Sequence, residues 1–168
     1  FYGPIAPTNE YLIVIQDDYS RFPVVINTFS LKSEVIEPKL EAVFGTFGIP
    51  KILRSDNGPP FQSSSFGNFC KSQGIIHRLI TPLWPRSNGI AEAFMKPLGK
   101  VIRTAKIEGI PWKKRLVEYL RSYRSTPHMS TGVAPSLLLF RNANLSKLPS
   151  YKGDFVKTKL DEVARRID

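Results

Sequence analysis

From Glu10 to Phe29 the chain reads EYLIVIQDDYSRFPVVINTF, two runs of β-branched and aromatic residues split by the polar break DDYSR. Such runs fit a pleated, half-buried surface, and the short polar break between them predicts an antiparallel hairpin. The next segments restrict the fold further. In LKSEVIEPKLEAVFGTF (31–47), Val35, Ile36, Leu40, Val43 and Phe44 recur at helical spacing, with Pro38 expected in the first turns and Gly48 and Pro50 as the stop. KILR (51–54) reads as a short strand, SSFGNFCKSQG (64–74) as a short helix closed by Gly74, and IIHRLI (75–80) as another strand. After the Pro-, Ser-, Asn- and Gly-dense stretch TPLWPRSNG (81–89), the pattern is helical over about 88–108, 111–126 and 135–140. A hairpin followed by helix, strand, helix and strand predicts a mixed α/β sheet with helices on its faces, and then a helical half.

With 168 residues, the chain is long enough for one well-buried core. Its charge is one-sided. Residues 1–92 carry eight basic and eight acidic side chains, whereas 93–168 carry sixteen and six, so the whole net charge of +10 lies after Glu92. That asymmetry predicts a polyanionic partner, nucleic acid before membrane. Apolar runs such as YLIVI (11–15) and SLLLF (136–140) are far shorter than the roughly 20 residues of a bilayer-spanning helix. The single cysteine, Cys70, excludes an internal disulfide or a multi-cysteine zinc site and reads as a small buried side chain. The chain opens at Phe1 with no signal-peptide pattern, and the expectation is a piece of a longer polypeptide: a core over 1–149 and a polar extension or linker over 150–168.

Asp56 follows the strand KILR and enters the turn-forming sequence Asn57-Gly58-Pro59-Pro60. An acid there can simply hydrogen-bond its turn. It also sits beyond the carboxyl end of a strand, where open α/β sheets collect their ligands. Glu92, with 35 residues between it and Asp56, lies near the start of a predicted helix, where an acid also complements the helix dipole. Taken together, a strand-end Asp and a helix-borne Glu supply two of the carboxylates that two-metal phosphoryl-transfer sites draw from different elements. Their hard oxygens suit Mg²⁺ or Mn²⁺.

Four stretches then carry a resemblance: YLIVIQDDYSRFP, GIPKILRSDNGPPF, ITPLWPRSNGIAEAFMKPLGKVIR and LRSYRSTPHMSTGVAPSLLLF. In this order, and with the 35-residue spacing, they resemble the catalytic core of a gypsy-type LTR-retrotransposon integrase, related to retroviral integrases. The resemblance implies a ribonuclease-H-like fold, a five-stranded mixed sheet with helices on both sides. It implies an Asp, Asp, Glu triad in which Asp56 is the second Asp and Glu92 the Glu, holding two Mg²⁺ (or Mn²⁺). The first Asp of such a triad just precedes a segment like FYGP, which here is Phe1–Pro4. The expectation is therefore a first strand truncated after that Asp, weak metal binding and negligible strand transfer from residues 1–168. Asp17 and Asp18 are expected to serve the hairpin break or pair with Arg21, not to ligate metal.

Lys96, Lys100 and Arg103 follow Glu92 at steps of four, four and three, which places them along one helix face suited to DNA phosphates. Pro97 within that helix is expected to kink it or interrupt its bonding, and Gly99 to weaken it. The stretch PLWPRSNG resembles the family's flexible active-site loop, with Arg86, Ser87 and Asn88 expected at DNA and Trp84 as a packing anchor. His77 and His128 lack metal-ligand spacing and read as structural or surface residues. The implied activity of the intact parent is DNA integration, 3′-end processing followed by strand transfer. Its implied partners are element ends, target DNA and further copies of itself, and its site is the nucleus after a cytoplasmic stage. Two alternatives stand beside it: a domesticated or decayed integrase acting as a DNA-binding or protein-interaction domain, and a ribonuclease H or transposase of the same fold.

Overall fold

The structure, a computed structural model, describes residues 1–80 and 85–141, without the side chains of 85–92. Among the described residues, five strands and five helices run in the order β1 (Tyr2–Ile5), β2 (Glu10–Gln16), β3 (Pro23–Thr28), α1 (Ser33–Phe47), β4 (Ile52–Ser55), α2 (Ser64–Ser72), β5 (Ile76–Leu79), α3 (Pro85–Ile107), α4 (Trp112–Ser125) and α5 (Pro135–Phe140). Among the described residues, β1, β2 and β3 form one sheet in that order, and β4 and β5 form a second ladder. The chain divides into two compact units, one of Phe1–Val14 and Val25–Met95, the other of Ile15–Val24 and Lys96–Asp168.

The predicted hairpin is β2–β3. Its connection of residues 17–22 is too short for a parallel crossover. Leu12 and Ile13, neighbours on opposite faces of β2, are both buried, which explains why this strand reads as a continuous apolar run. At the FYGP stretch, Tyr2–Ile5 form β1, antiparallel to β2 with Tyr2 opposite Leu12 and Ile5 opposite Glu10, and with an irregularity between the two pairs. Gly3 makes that irregularity possible. Its φ is +128°, and a Cβ there would lie 2.8 Å from the Glu10 carbonyl oxygen.

In α1, Ile36, Leu40 and Phe44 are the buried stripe, spaced by four. Pro38 is the sixth residue of this helix, deeper than expected. The N–H it lacks would have reached Glu34, which is exposed and leaves its carbonyl to water. Gly48, with φ +92°, ends the helix by donating its N–H to the Phe44 carbonyl at 2.8 Å. Ser63 caps α2, its hydroxyl accepting from the Phe66 N–H at 3.1 Å.

Helix α2 is the crossover between β4 and β5, which are parallel with Leu53 opposite His77 and Ser55 opposite Leu79. Its buried Phe66 meets Phe61 edge-on at 5.1 Å, Phe69 at 6.0 Å and the His77 ring at 5.1 Å. Phe61 in turn stacks on Phe1 at 5.0 Å. This aromatic cluster is the core of the first unit around the end of β4.

In the second unit, Leu98, Ile102 and Ala105 of α3, Leu116 and Leu120 of α4, and Leu138 of α5 are buried. The β2–β3 turn is tied to α4. The Arg124 guanidinium donates through Nε and Nη2 to the Pro23 carbonyl at 3.1 and 2.8 Å and lies 4.5 Å from the centre of the Phe22 ring. Gln16 donates to the Tyr123 hydroxyl at 3.2 Å. No described helix is long and apolar enough to cross a membrane. Residues 150–168, expected to form an extension, lie outside the described residues.

Candidate active site

The β4–β5 ladder ends where Asp56 begins. Its last bond runs from the Ile80 N–H to the Ser55 carbonyl at 2.8 Å, and Asp56 is the first residue beyond it. The Asp56 side chain is exposed, and its Oδ1 accepts the Gly58 N–H at 2.9 Å, an Asx-type turn. The turn therefore engages one carboxylate oxygen. Oδ2 has no hydrogen-bond partner among the described residues. The turn role and a ligand role are compatible in one side chain.

Sequence reasoning misses what holds this strand end. Ser55 is 8% exposed, and its hydroxyl donates to the Asp56 carbonyl at 3.0 Å while lying 2.9 Å from Nε2 of His77. Burial pushes the His77 imidazole below its usual pKa. His77 packs against Phe66 as a structural residue would, but its specific target is the strand end that carries Asp56.

Glu92 lies on α3, eight residues into the helix. Its side chain is outside the described residues. The stretch expected to be a loop is in part helical: α3 starts at Pro85, so Arg86, Ser87, Asn88 and Gly89 lie on its first turns. Proline is well suited to a first helical position, where its missing N–H has no intrahelical partner and its φ is preset. Trp84 lies outside the described residues.

Further along α3, Lys96, Lys100 and Arg103 are exposed, as is Lys106, while Phe94, Leu98, Ile102 and Ala105 are buried. The basic stripe and the apolar stripe occupy opposite sides of the helix. The helix is continuous through Pro97, and the expected interruption is the single bond that its missing N–H cannot make. The carbonyl deprived of a partner belongs to Ala93, which is exposed, so that water can take the place of the lost bond.

Asp17 and Asp18 serve the hairpin. Asp17 Oδ2 accepts from the Ser20 N–H and hydroxyl, both at 2.7 Å, and Asp18 lies 3.9 Å from Arg21. His128 Nδ1 accepts from the Ser130 N–H at 3.2 Å, and burial together with the nearby Arg21 charge lowers its pKa. Cys70 is buried, which raises its pKa and suits a packing role. Among the described residues no group of three or more His, Cys, Asp or Glu is gathered to hold a metal. The exposed, hard oxygen of Asp56 fits a divalent ion such as Mg²⁺ as one member of a larger set.

Comparison with known proteins agrees with this architecture. An uncharacterized Caenorhabditis elegans protein is 37% identical over 128 residues, covering 76% of this chain and 10% of that protein. The Pol polyprotein of feline endogenous virus ECE1 is 29% identical over 134 residues, covering 78% of this chain and 13% of the polyprotein. The chain thus spans about a tenth of the length of these relatives. Among solved structures, a simian T-cell lymphotropic virus intasome in complex with a PP2A regulatory subunit superposes with a TM-score of 0.66 at 22% identity, covering 84% of this chain and 51% of that one. The HTLV-2 integrase catalytic core domain in complex with magnesium gives 0.60 at 22% identity, covering 76% of this chain and 83% of that one. The fold is the ribonuclease-H-like fold of integrase catalytic cores. Residues 1–85, half of the sequence and including β1 through β5, match the integrase core domain, and the chain belongs to that family.

Proposed function

We propose that the protein from which this chain derives is a polynucleotidyl transferase that inserts the DNA of a gypsy-type LTR retrotransposon into host DNA. The observation that carries this reading is the integrase core match over residues 1–85, with Asp56 just past the end of β4 and one of its carboxylate oxygens without a partner among the described residues. Asp56 and Glu92 are its metal ligands. The HTLV-2 integrase core solved with magnesium supports Mg²⁺ as the ion, and two such ions fit the chemistry of phosphodiester exchange. When bound, the ions would activate the attacking oxygen and stabilise the leaving one.

The chain's own residues do the rest. The Asp56 carboxylate is presented from a strand end with its orientation restricted by the Gly58 N–H. Lys96, Lys100 and Arg103 hold DNA phosphates along α3, with Arg86, Ser87 and Asn88 nearer its start. The intasome and the trimeric core among the related structures support a working assembly of several copies on DNA, and an integrating enzyme of this kind would act in the nucleus after a cytoplasmic stage. A first catalytic Asp just ahead of Phe1 completes the triad in this reading. The test is a product assay on the parent protein with labelled element ends, target DNA and an RNA–DNA hybrid. Joined DNA products are expected; hybrid cleavage without joining would reassign the protein to a ribonuclease H.

A further inference from the structure

We infer that His77 and Ser55 form a two-link hydrogen-bond relay that positions Asp56 as a metal ligand, an inference that rests on the ligand role proposed for Asp56. The geometry assigns the direction of each link. A serine hydroxyl has one proton, and that of Ser55 is directed to the Asp56 carbonyl at 3.0 Å. The 2.9 Å contact between Ser55 Oγ and His77 Nε2 then requires the imidazole to donate, so His77 carries its proton on Nε2.

The relay acts where the sheet can no longer do so. The Ser55 carbonyl takes the last ladder bond, from Ile80 at 2.8 Å, and the Asp56 carbonyl lies one peptide beyond. Without the hydroxyl that peptide could rotate, and with it the chain that brings the Gly58 N–H to the carboxylate. The Gly58 N–H fixes the carboxylate from the other side at 2.9 Å. Asp56 is thus restrained at both ends while Oδ2 has no partner among the described residues. Ser55 is buried, which keeps water from competing for its hydroxyl, and the edge of the fully buried Phe66 ring holds the imidazole in place at 5.1 Å. His77 and Ser55 are positioning residues.

The experiment combines ¹⁵N NMR of the imidazole with Mn²⁺ titration followed by water proton relaxation, on the chain and its variants. The relay predicts the Nε2–H tautomer for His77. It predicts that Ser55→Ala and His77→Ala weaken Mn²⁺ binding by about tenfold or more, the usual cost of losing an outer partner of a ligand, while Ser55→Thr stays within about twofold. A wild-type Nδ1–H tautomer, or Ser55→Ala binding Mn²⁺ as tightly as wild type, overturns the relay. Asp56→Asn separates the two claims. If it weakens Mn²⁺ binding and Ser55→Ala does not, only the relay falls. If Asp56→Asn binds as wild type, the ligand assignment falls and the relay with it.

Discussion

The Oδ1 atom of Asp56 accepts the backbone N–H of Gly58 at 2.9 Å, so the turn after β4 and the orientation of the carboxylate are set by one bond. A Cβ on Gly58 would lie 3.0 Å from that same oxygen, and its backbone is not in the left-handed region. Gly58→Ala therefore tests orientation without backbone strain. The substitution should leave stability within about 1 kcal/mol, because the entropy lost by the unfolded chain offsets the contact. Mn²⁺ affinity should nevertheless fall as the carboxylate is pushed aside. Unchanged affinity would mean that the orientation of Asp56 is irrelevant to its ligand role.

Arg124 holds the β2–β3 turn by two bonds to the Pro23 carbonyl and by stacking on Phe22. Charge-assisted bonds contribute roughly 1.5–3 kcal/mol and a partly desolvated cation–π contact about 1 kcal/mol. Arg124→Ala should cost about 2–4 kcal/mol in urea denaturation. Arg124→Lys should recover less than half of that, since an ammonium lacks the planar fork.

Much of this arrangement is legible in the sequence. The hairpin, the helix over 33–47 and the β4–α2–β5 order follow from periodicity and turn residues, and Asp56 is marked by its turn cluster. Strand β1 is harder to read because Gly3 and Pro4 break any strand pattern, and only pairing with β2 makes those four residues a strand. The start of α3 escapes the sequence pattern because Pro, Ser, Asn and Gly spell a loop, yet proline at the first helical position and tertiary context override that composition. The Ser55–His77 contact is invisible in the sequence. It depends on the register that sets Leu53 opposite His77, and no spacing along the chain encodes that register.

Two histidines should make the stability of the chain acid-sensitive. His77 and His128 both have pKa values lowered by burial from an ordinary 6.5. The unfolded chain then binds more protons than the folded one at pH values below 6.5 and above the folded pKa values. Their contribution is fully present above about pH 6.5 and is lost as pH falls through that value toward the lowered ones. The His128 bond from the Ser130 N–H to Nδ1 is lost with protonation. Urea midpoints should fall between about pH 7.5 and pH 5.5, and His77→Gln with His128→Gln should flatten that slope. An equal slope in the double variant would assign the acid sensitivity to carboxylates.

The basic stripe of α3 should announce itself through salt. Each phosphate neutralised adds about 0.9 to the slope of log affinity against log salt for duplex DNA. Lys96→Gln with Lys100→Gln should weaken DNA binding and reduce that slope by about 2. An unchanged slope would mean that the exposed lysines meet only solvent.

The central claim is that Asp56 is a metal ligand of a DNA strand-transfer enzyme. Its most direct test is strand transfer by the parent protein carrying Asp56→Asn, a change that keeps an oxygen for the Gly58 N–H and so keeps the turn. Removing a direct ligand should cost at least as much as removing an outer partner, so activity is expected to fall about 100-fold or more, with thermal unfolding unchanged. Strand transfer by Asp56→Asn at the wild-type rate would contradict the account.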